Sequence, residues 1–254
     1  MFMVKQRIKV GVMIICGIIL SSNVFAQDAK AIVKRSYDLM RGTSSYNEST
    51  MSIIRPQYTR TLRFKSWSKG NDYSLVYVLS PAKDKGQVSL KRKNEMWNWM
   101  PSIRRMIKIP PSMLNQSWMG SDLTNDDIIK ESSIVDDYSH KVLSEETIGE
   151  ELCWKIELIP HEDAAVIWGK IISWISKKNG YTLKNEYYDE DEELVNVEKL
   201  SRIRTIGKRT IPTYYEIIPV DKPGQKTTMS MDVIRFGEKI EDGFFSIQNA
   251  KRIR

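Results

Sequence analysis

The chain has 254 residues, 41% apolar and 28% charged, a balance that excludes wholesale disorder and allows one large or two small domains. The formal net charge is +7, and the charges are scattered along the sequence rather than gathered in the footprint of a nucleic-acid-binding protein. Residues 1–26 read as a secretory leader. Lys5, Arg7 and Lys9 are followed by the apolar run Val10 to Leu20, then a polar stretch ending in Val24-Phe25-Ala26. That run is far shorter than the ~20 residues needed to span a bilayer, so cleavage after Ala26 is expected. Cys16 lies in the apolar run without the small residue expected before a lipidated cysteine, so lipid attachment is not expected. Removing the leader lowers the net charge to +4 and leaves Cys153 as the only cysteine, which excludes an intramolecular disulfide.

The mature chain opens with a predicted helix over Asp28 to Arg41, with Asp28 as a cap and Gly42 as a stop. From residue 60 the period changes to two. Strands are predicted over 60–68, 72–80, 87–93, 95–100, 104–109, 140–148, 151–159, 169–178, 181–189, 193–201, 213–219 and 226–236. Turn residues such as Lys69-Gly70-Asn71-Asp72, Lys178-Asn179-Gly180 and Asp221-Lys222-Pro223-Gly224 separate them. Two insertions interrupt the series. Pro110 to Lys130 holds an apolar, helix-like piece around Met113–Met119 with Ser112 as a possible cap, and Pro160 to Trp168 reads as a short helix or loop. The pattern predicts one mainly β (α+β) domain over residues 27–254, with an antiparallel sheet strongly curved or closed.

Catalytic signals are weak. His140 and His161 are the only histidines, neither sits in a recognisable nucleophile context, and Cys153 falls in a strand pattern. A hydrolase is therefore disfavoured, and no enzyme activity or cofactor is expected. His161-Glu162-Asp163 are adjacent and do not converge on a metal. Asp189 to Glu193 lacks the spacing of a calcium loop and reads as a solvated hairpin tip. What stands out is bulk. "MWNWM" puts Trp97 and Trp99 on one face and Met96, Asn98 and Met100 on the other, and "ISWIS" sets Ile172 and Trp174 opposite Ile171 and Ile175. A strand apolar on both faces is covered on both. One of those faces packs a helix and the other lines either a filled core or a cavity suited to flexible methionine contacts.

The stretch Met96 to Ile128 resembles the central segment of the LolA-like outer-membrane lipoprotein-sorting family of Gram-negative bacteria. The matching residues are Trp99-Met100-Pro101-Ser102, the basic pair Arg104-Arg105, Trp118-Met119-Gly120-Ser121-Asp122 and Asp126-Asp127-Ile128. Trp118 stands where the family usually has Phe, and Asn125 where an aromatic is common. The resemblance implies an unclosed antiparallel β-barrel wrapped round a hydrophobic cavity, with covering helices, in a periplasmic protein. It implies a carrier for acyl chains of lipoproteins or other lipids, partnered by an inner-membrane exporter or an outer-membrane acceptor. Candidate cavity or lid residues are Phe64, Trp97, Trp99, Met100, Trp118, Met119 and Trp174. Gly120 would allow a sharp turn, and Asp122 would cap a helix near Thr124–Ile129. Of Arg104 and Arg105, one should face outward and the other meet an acid of the lid or a lipid headgroup. The alternative is a non-enzymatic accessory or regulatory module docking an inner-membrane exporter or signalling protein.

Overall fold

Short turns after regular strands build the sheet hairpin by hairpin. The computed structural model describes residues 24–254 except Asn94, residues 131–133 and Ala165, and leaves aside the side chains of residues 24–28, Pro111 and residues 128–130. The expected leader lies, up to residue 23, outside the described residues. The first helix, α1 (Val24–Arg41), begins four residues before the predicted cap Asp28. It ends as predicted at Gly42, which has φ +68° and donates its N–H to Asp38 O at 3.0 Å. That is the left-handed glycine stop of a helix. Arg209 donates to the last-turn carbonyls of Asp38 and Leu39 at 2.7 and 2.9 Å, a cation against the negative helix end.

Thirteen strands follow. The first half holds β1 (Ser44–Arg55), β2 (Tyr58–Lys69), β3 (Tyr73–Ser80), β4 (Val88–Arg92), β5 (Glu95–Met100) and β6 (Arg105–Lys108). The second half holds β7 (Tyr138–Ile148), β8 (Glu151–Pro160), β9 (Lys170–Ser176), β10 (Thr182–Tyr188), β11 (Leu194–Ile206), β12 (Arg209–Pro219) and β13 (Lys226–Phe236). They form one sheet in the order β6-β5-β4-β3-β2-β1-β13-β12-β11-β10-β9-β8-β7, with every pairing antiparallel. The chain thus runs outward from the centre to one edge, crosses to the far edge, and returns until β13 lies beside β1. The edges β6 and β7 are consecutive in sequence but not paired, so the barrel is unclosed. The long connection between them, residues 109–137, has to cross the sheet.

All the predicted strands are present, and one more: β1 carried no predicted strand. The insertion after Pro110 also differs from expectation. It is not one helix but two single turns of 3₁₀ helix, Pro111–Met113 and Trp118–Gly120, followed by α2 (Asn125–Lys130). Ser112 lies within the first of these turns rather than capping a longer helix. The cap of α2 is Thr124, not Asp122. Thr124 Oγ1 accepts from Asp127 N–H at 3.0 Å and Asp127 Oδ2 accepts from Thr124 N–H at 2.7 Å, a reciprocal capping box. Pro160 ends β8, and residues 161–164 and 166–168 form turns and loop rather than a helix.

The sheet buries apolar side chains on both faces. In β3, Ser74 and Val76 face inward, while Leu75 and Tyr77 face outward with Val88 and Leu90 of β4. That outer cluster is closed by the C-terminal segment, a 3₁₀ turn Asp242–Phe245 and α3 (Ile247–Ala250), through fully buried Phe245 and Ala250. On the inner side, α1 presents Ala29, Ile32 and Val33 to Ile156 and Leu158 of β8 and Ile171 and Ile175 of β9. Each such large apolar side chain contributes about 1.5–3 kcal/mol when fully buried.

Gly169, just before β9, is fixed by close approach. A Cβ there would sit 2.4 Å from Asp189 O and 2.8 Å from Asp189 C, both backbone atoms that cannot swing away. Gly169→Ala is expected to destabilise the protein by about 1–3 kcal/mol, read as a lower urea midpoint at unchanged slope.

Candidate functional site

Beneath the crossing connection, between α1 and the concave face of the sheet, lies a cavity of about 390 Å³. Its apolar wall comes from Met51 of β1, Phe64 of β2, Val76 of β3, Ile217 of β12, and Met229 and Met231 of β13. α1 adds Val33, Ser36, Tyr37 and Met40, and the connection adds Trp118, Leu123, Asp126 and Asp127. Trp118 is 3% exposed. Its indole meets the Phe64 ring edge-on at 6.2 Å and 88°, and its Nε1 donates to Ser89 Oγ of β4 at 3.3 Å.

The wall has a polar quarter on β9, β10 and β11. Ser173 Oγ donates to Asn185 Oδ1 at 2.6 Å, Asn185 Nδ2 donates to Glu198 Oε2 at 2.7 Å, and Tyr187 OH donates to the same oxygen at 2.9 Å. Burial, reinforced by the carboxylates of Glu198 and Asp127, pushes the Tyr187 phenol well above its usual value, so it stays a neutral donor. Trp168 Nε1 donates to Asp127 Oδ1 at 2.8 Å, tying α2 to the segment before β9. The cavity is therefore amphipathic: mostly apolar, with one hydrogen-bonding side.

The connection is folded tightly on itself. Trp118 N–H donates to Leu123 O at 2.7 Å, Asn125 N–H to Gln116 O at 2.9 Å and Asp126 N–H to Leu114 O at 2.8 Å. The reversal uses two consecutive left-handed residues, Met119 (φ +53°) and Gly120 (φ +76°). It is then clasped to the far hairpin. Arg55 Nη1 donates to Asp122 Oδ2 at 3.0 Å and Arg55 Nη2 to Gly120 O at 3.2 Å. Thr227 Oγ1 donates to Asp122 Oδ2 at 2.6 Å, and Arg60 Nη1 donates to Met119 O at 3.0 Å. The Arg55 and Asp122 side chains are 14% and 8% exposed, so this ion pair is largely desolvated.

Of the residues singled out from sequence, Phe64, Trp118 and Asp122 line the cavity. Met119 packs against the same cluster as Trp118 but is not part of the lining. Trp97 and Trp99 lie on the opposite face of the sheet, in the cluster closed by Phe245. Their strand neighbour Met96 is the residue that faces the connection, beside Trp118. Met100 is half-buried and lies outside the lining. Trp174 also faces away, packed with Cys153, Ile172, Tyr181 and Leu183; its indole donates to Glu146 Oε2 at 2.7 Å and is flanked by the ammonium groups of Lys155 and Lys184. Arg104 and Arg105 are both exposed at the β5–β6 turn, and Asp122, the acid of the connection, pairs with Arg55 instead. Arg55, Arg60, Thr227, Asn185 and Glu198 escaped the sequence reading. The dipeptide Arg55-Pro56 is a turn signal that marks the hairpin carrying both arginines.

Among the described residues, no histidine or cysteine lines the cavity. His140 sits outside it with Nε2 2.9 Å from Ile134 O, and burial lowers its pKa below the usual 6.5. Cys153 is fully buried on the outer face, where burial pushes its thiol up to about 11. Among the described residues, no group of His, Cys, Asp or Glu is placed to hold a metal ion, and no helix is long and apolar enough to cross a membrane.

A family model described as "Uncharacterized protein" matches residues 70–252, well over half of the chain. No curated protein matches the sequence. Among solved structures, a DUF1329 family protein from Desulfovibrio piger superposes with a TM-score of 0.82 at 26% identity, covering 89% of this chain and 98% of that one. A domain described as an outer membrane lipoprotein-sorting protein from Vibrio parahaemolyticus gives 0.78 at 19% identity, covering 89% and 100%. A LolA superfamily protein from Nitrosomonas europaea gives 0.75 at 22% identity, covering 89% and 99%. The chain belongs to the family whose model spans residues 70–252, and its fold is LolA-like, that of the outer membrane lipoprotein-sorting proteins.

Proposed function

We propose that the protein is a non-enzymatic periplasmic carrier that takes up an acyl chain, of a lipoprotein or of another lipid, in the cavity beneath the connection, for transfer towards the outer membrane. On this reading residues 1–26 are the export leader and 27–254 the mature single domain. The observation that carries it is the cavity itself, roofed by Trp118 and α1 and walled by Met, Phe, Val and Ile side chains. Its volume lies near the low end of the ~300–1,000 Å³ of small-molecule sites, which suits one chain better than several. Each methylene moved from water into such a wall contributes ~0.8 kcal/mol, so a chain of ordinary length is held without any covalent chemistry. The hydrogen-bonding side formed by Asn185, Tyr187 and Glu198 then orients the polar end of the cargo.

The test is native mass spectrometry with lipid extraction on protein purified from a periplasmic fraction, for the native chain and for Ser66→Trp. Ser66 lines the cavity on β2 between Phe64 and Ser68, so an indole there fills space without deleting a packed side chain. The native protein is expected to carry a stoichiometric acylated species, and the variant to retain about ten-fold less, with unchanged circular dichroism. A native protein that stays empty after incubation with phospholipid and with lipopeptide would end the carrier reading.

A further inference from the structure

Charges that are dispersed along the sequence are sorted by the fold. Residues 81–109, which form β4, β5, β6 and their turns at one edge of the sheet, contain eight basic and two acidic residues. Both acids are already committed: Asp84 accepts from Arg60 Nη2 at 2.7 Å, and Glu95 pairs with Lys108. The remainder of the mature chain is slightly acidic, so this edge is the positive pole of the molecule.

One corner of that edge combines charge with exposed apolar surface. The β5–β6 turn, Pro101–Arg104, closes through Arg104 N–H to Pro101 O at 3.3 Å, and Arg104 takes a left-handed φ of +53°. The turn leaves Ile103 53% exposed, and Ile107 on the edge strand is 38% exposed. Arg104 and Arg105 follow Ile103 and are exposed. The loop before β4 adds exposed Lys83 and Lys85, and it touches the turn, since a Cβ at Gly86 would lie 3.6 Å from Pro101 Cγ. An isoleucine on a tight turn, with four exposed cations on that turn, the start of β6 and the adjoining loop and no unpaired acid in either loop, complements an anionic bilayer surface. The cations lie at headgroup level and the isoleucine reaches the acyl boundary.

We propose that the β5–β6 turn and the loop before β4 are a docking surface for an anionic membrane, with Ile103 inserting and Lys83, Lys85, Arg104 and Arg105 contacting lipid phosphates. Docking here has a consequence for the cavity. Arg60 donates both to Asp84, which sits between Lys83 and Lys85, and to Met119 O of the connection. A single guanidinium therefore links the docking loop to the roof over the cavity, and the roof chain itself begins directly after β6. The membrane is placed where the connection would have to lift for a lipid to enter or leave. The surface does not depend on the cavity being occupied.

The test is cosedimentation of the mature protein with vesicles of phosphatidylcholine alone and of phosphatidylcholine with phosphatidylglycerol. Sedimentation is expected with the anionic vesicles only, and it should weaken as salt rises. At about one tenfold step per 1.4 kcal/mol, loss of two surface cations in Arg104→Ala/Arg105→Ala is expected to weaken binding about thirty-fold. Ile103→Ser is expected to weaken it as well, and because all three residues are exposed, thermal midpoints should not move. Ile103→Cys carrying a polarity-sensitive dye should shift to the blue on anionic vesicles, and buried Cys153 keeps the label at position 103. Equal sedimentation with both vesicle types, sedimentation with neither, or native behaviour of the arginine variant would each overturn the proposal. Sedimentation with neither type would leave the basic corner to an acidic protein surface. Ser66→Trp should still bind vesicles, so failure of docking and failure of the carrier reading are separable.

Discussion

Replacing Asp122 with alanine is expected to free the connection between β6 and β7 while the sheet stays folded. The substitution leaves Arg55 largely buried with no carboxylate partner and removes the acceptor of Thr227 Oγ1. Breaking a buried ion pair from one side typically costs about 3–5 kcal/mol. That cost need not appear as global unfolding. The connection can lift, letting Arg55 reach water, as soon as the penalty exceeds the local opening free energy. Hydrogen exchange is the right probe. The amides of Trp118, Asn125 and Asp126, all internally bonded in the closed connection, should exchange about 100-fold faster or more, while those of β8–β9 keep their protection. Arg55→Met is expected to act in the same direction. Arg55→Met/Asp122→Leu should recover much of the protection, since a packed apolar pair is often as stable as a buried ionic one. Unchanged exchange at Trp118 in Asp122→Ala would mean that the ion pair does not hold the connection down, and that closure rests on the packing of Trp118 against Phe64.

The same cavity explains which parts of the molecule were legible in sequence. β8, β9 and β10 read clearly because their alternation is backed by bulk on both faces and their turns carry glycine or asparagine. β1 did not read at all. Its inward positions are Ser45, Asn47, Ser49, Met51 and Ile53, and at Ser45 and Asn47 the space that a core would fill with leucine is left to the cavity. A strand that lines a void needs no large inward residue, so the periodicity that marks a strand is lost where the cavity stands in place of a packed core. The tryptophans misdirect for a related reason. Period two separates the faces of β5 and β9 but does not say which face is concave. Trp97 and Trp99 meet the C-terminal segment and Trp174 meets lysine side chains, while the smaller Ser173 and the aliphatic Ile171 and Ile175 take the inside. The run from Trp118 to Asp122 was legible as a sharp turn carrying an apolar anchor because it is local. Its clasp was not, because Arg55, Arg60 and Thr227 come from distant strands and only the order β2-β1-β13 brings them together.

Phe245→Ala is expected to have the largest effect on stability of any single change outside the cavity, and no effect on cargo. Phe245 is fully buried, stacks on Tyr73 at 5.4 Å and 25°, and meets Phe244 edge-on at 5.4 Å. It is the main anchor by which residues 242–250 cover Leu75, Tyr77, Val88 and Leu90. Truncating a buried phenylalanine costs about 3–5 kcal/mol, and here the loss is shared by the C-terminal segment, which is then held by Phe244 on Trp67, by buried Ala250 and by the Lys69–Asp242 ion pair. The denaturant midpoint should fall accordingly, and the C-terminal segment should become sensitive to protease. The inner face meets this cluster at Trp67, which borders the cavity and packs on Phe244 at 5.3 Å, not at Phe245 itself. Lipid retained per folded molecule should therefore match the native protein, whereas Trp118→Ala, which takes away the indole bordering the cavity, should lose lipid. If Phe245→Ala shed lipid at temperatures where the sheet is still folded, the two faces would be coupled, and the outer cluster would have to be counted as part of the device that opens the cavity.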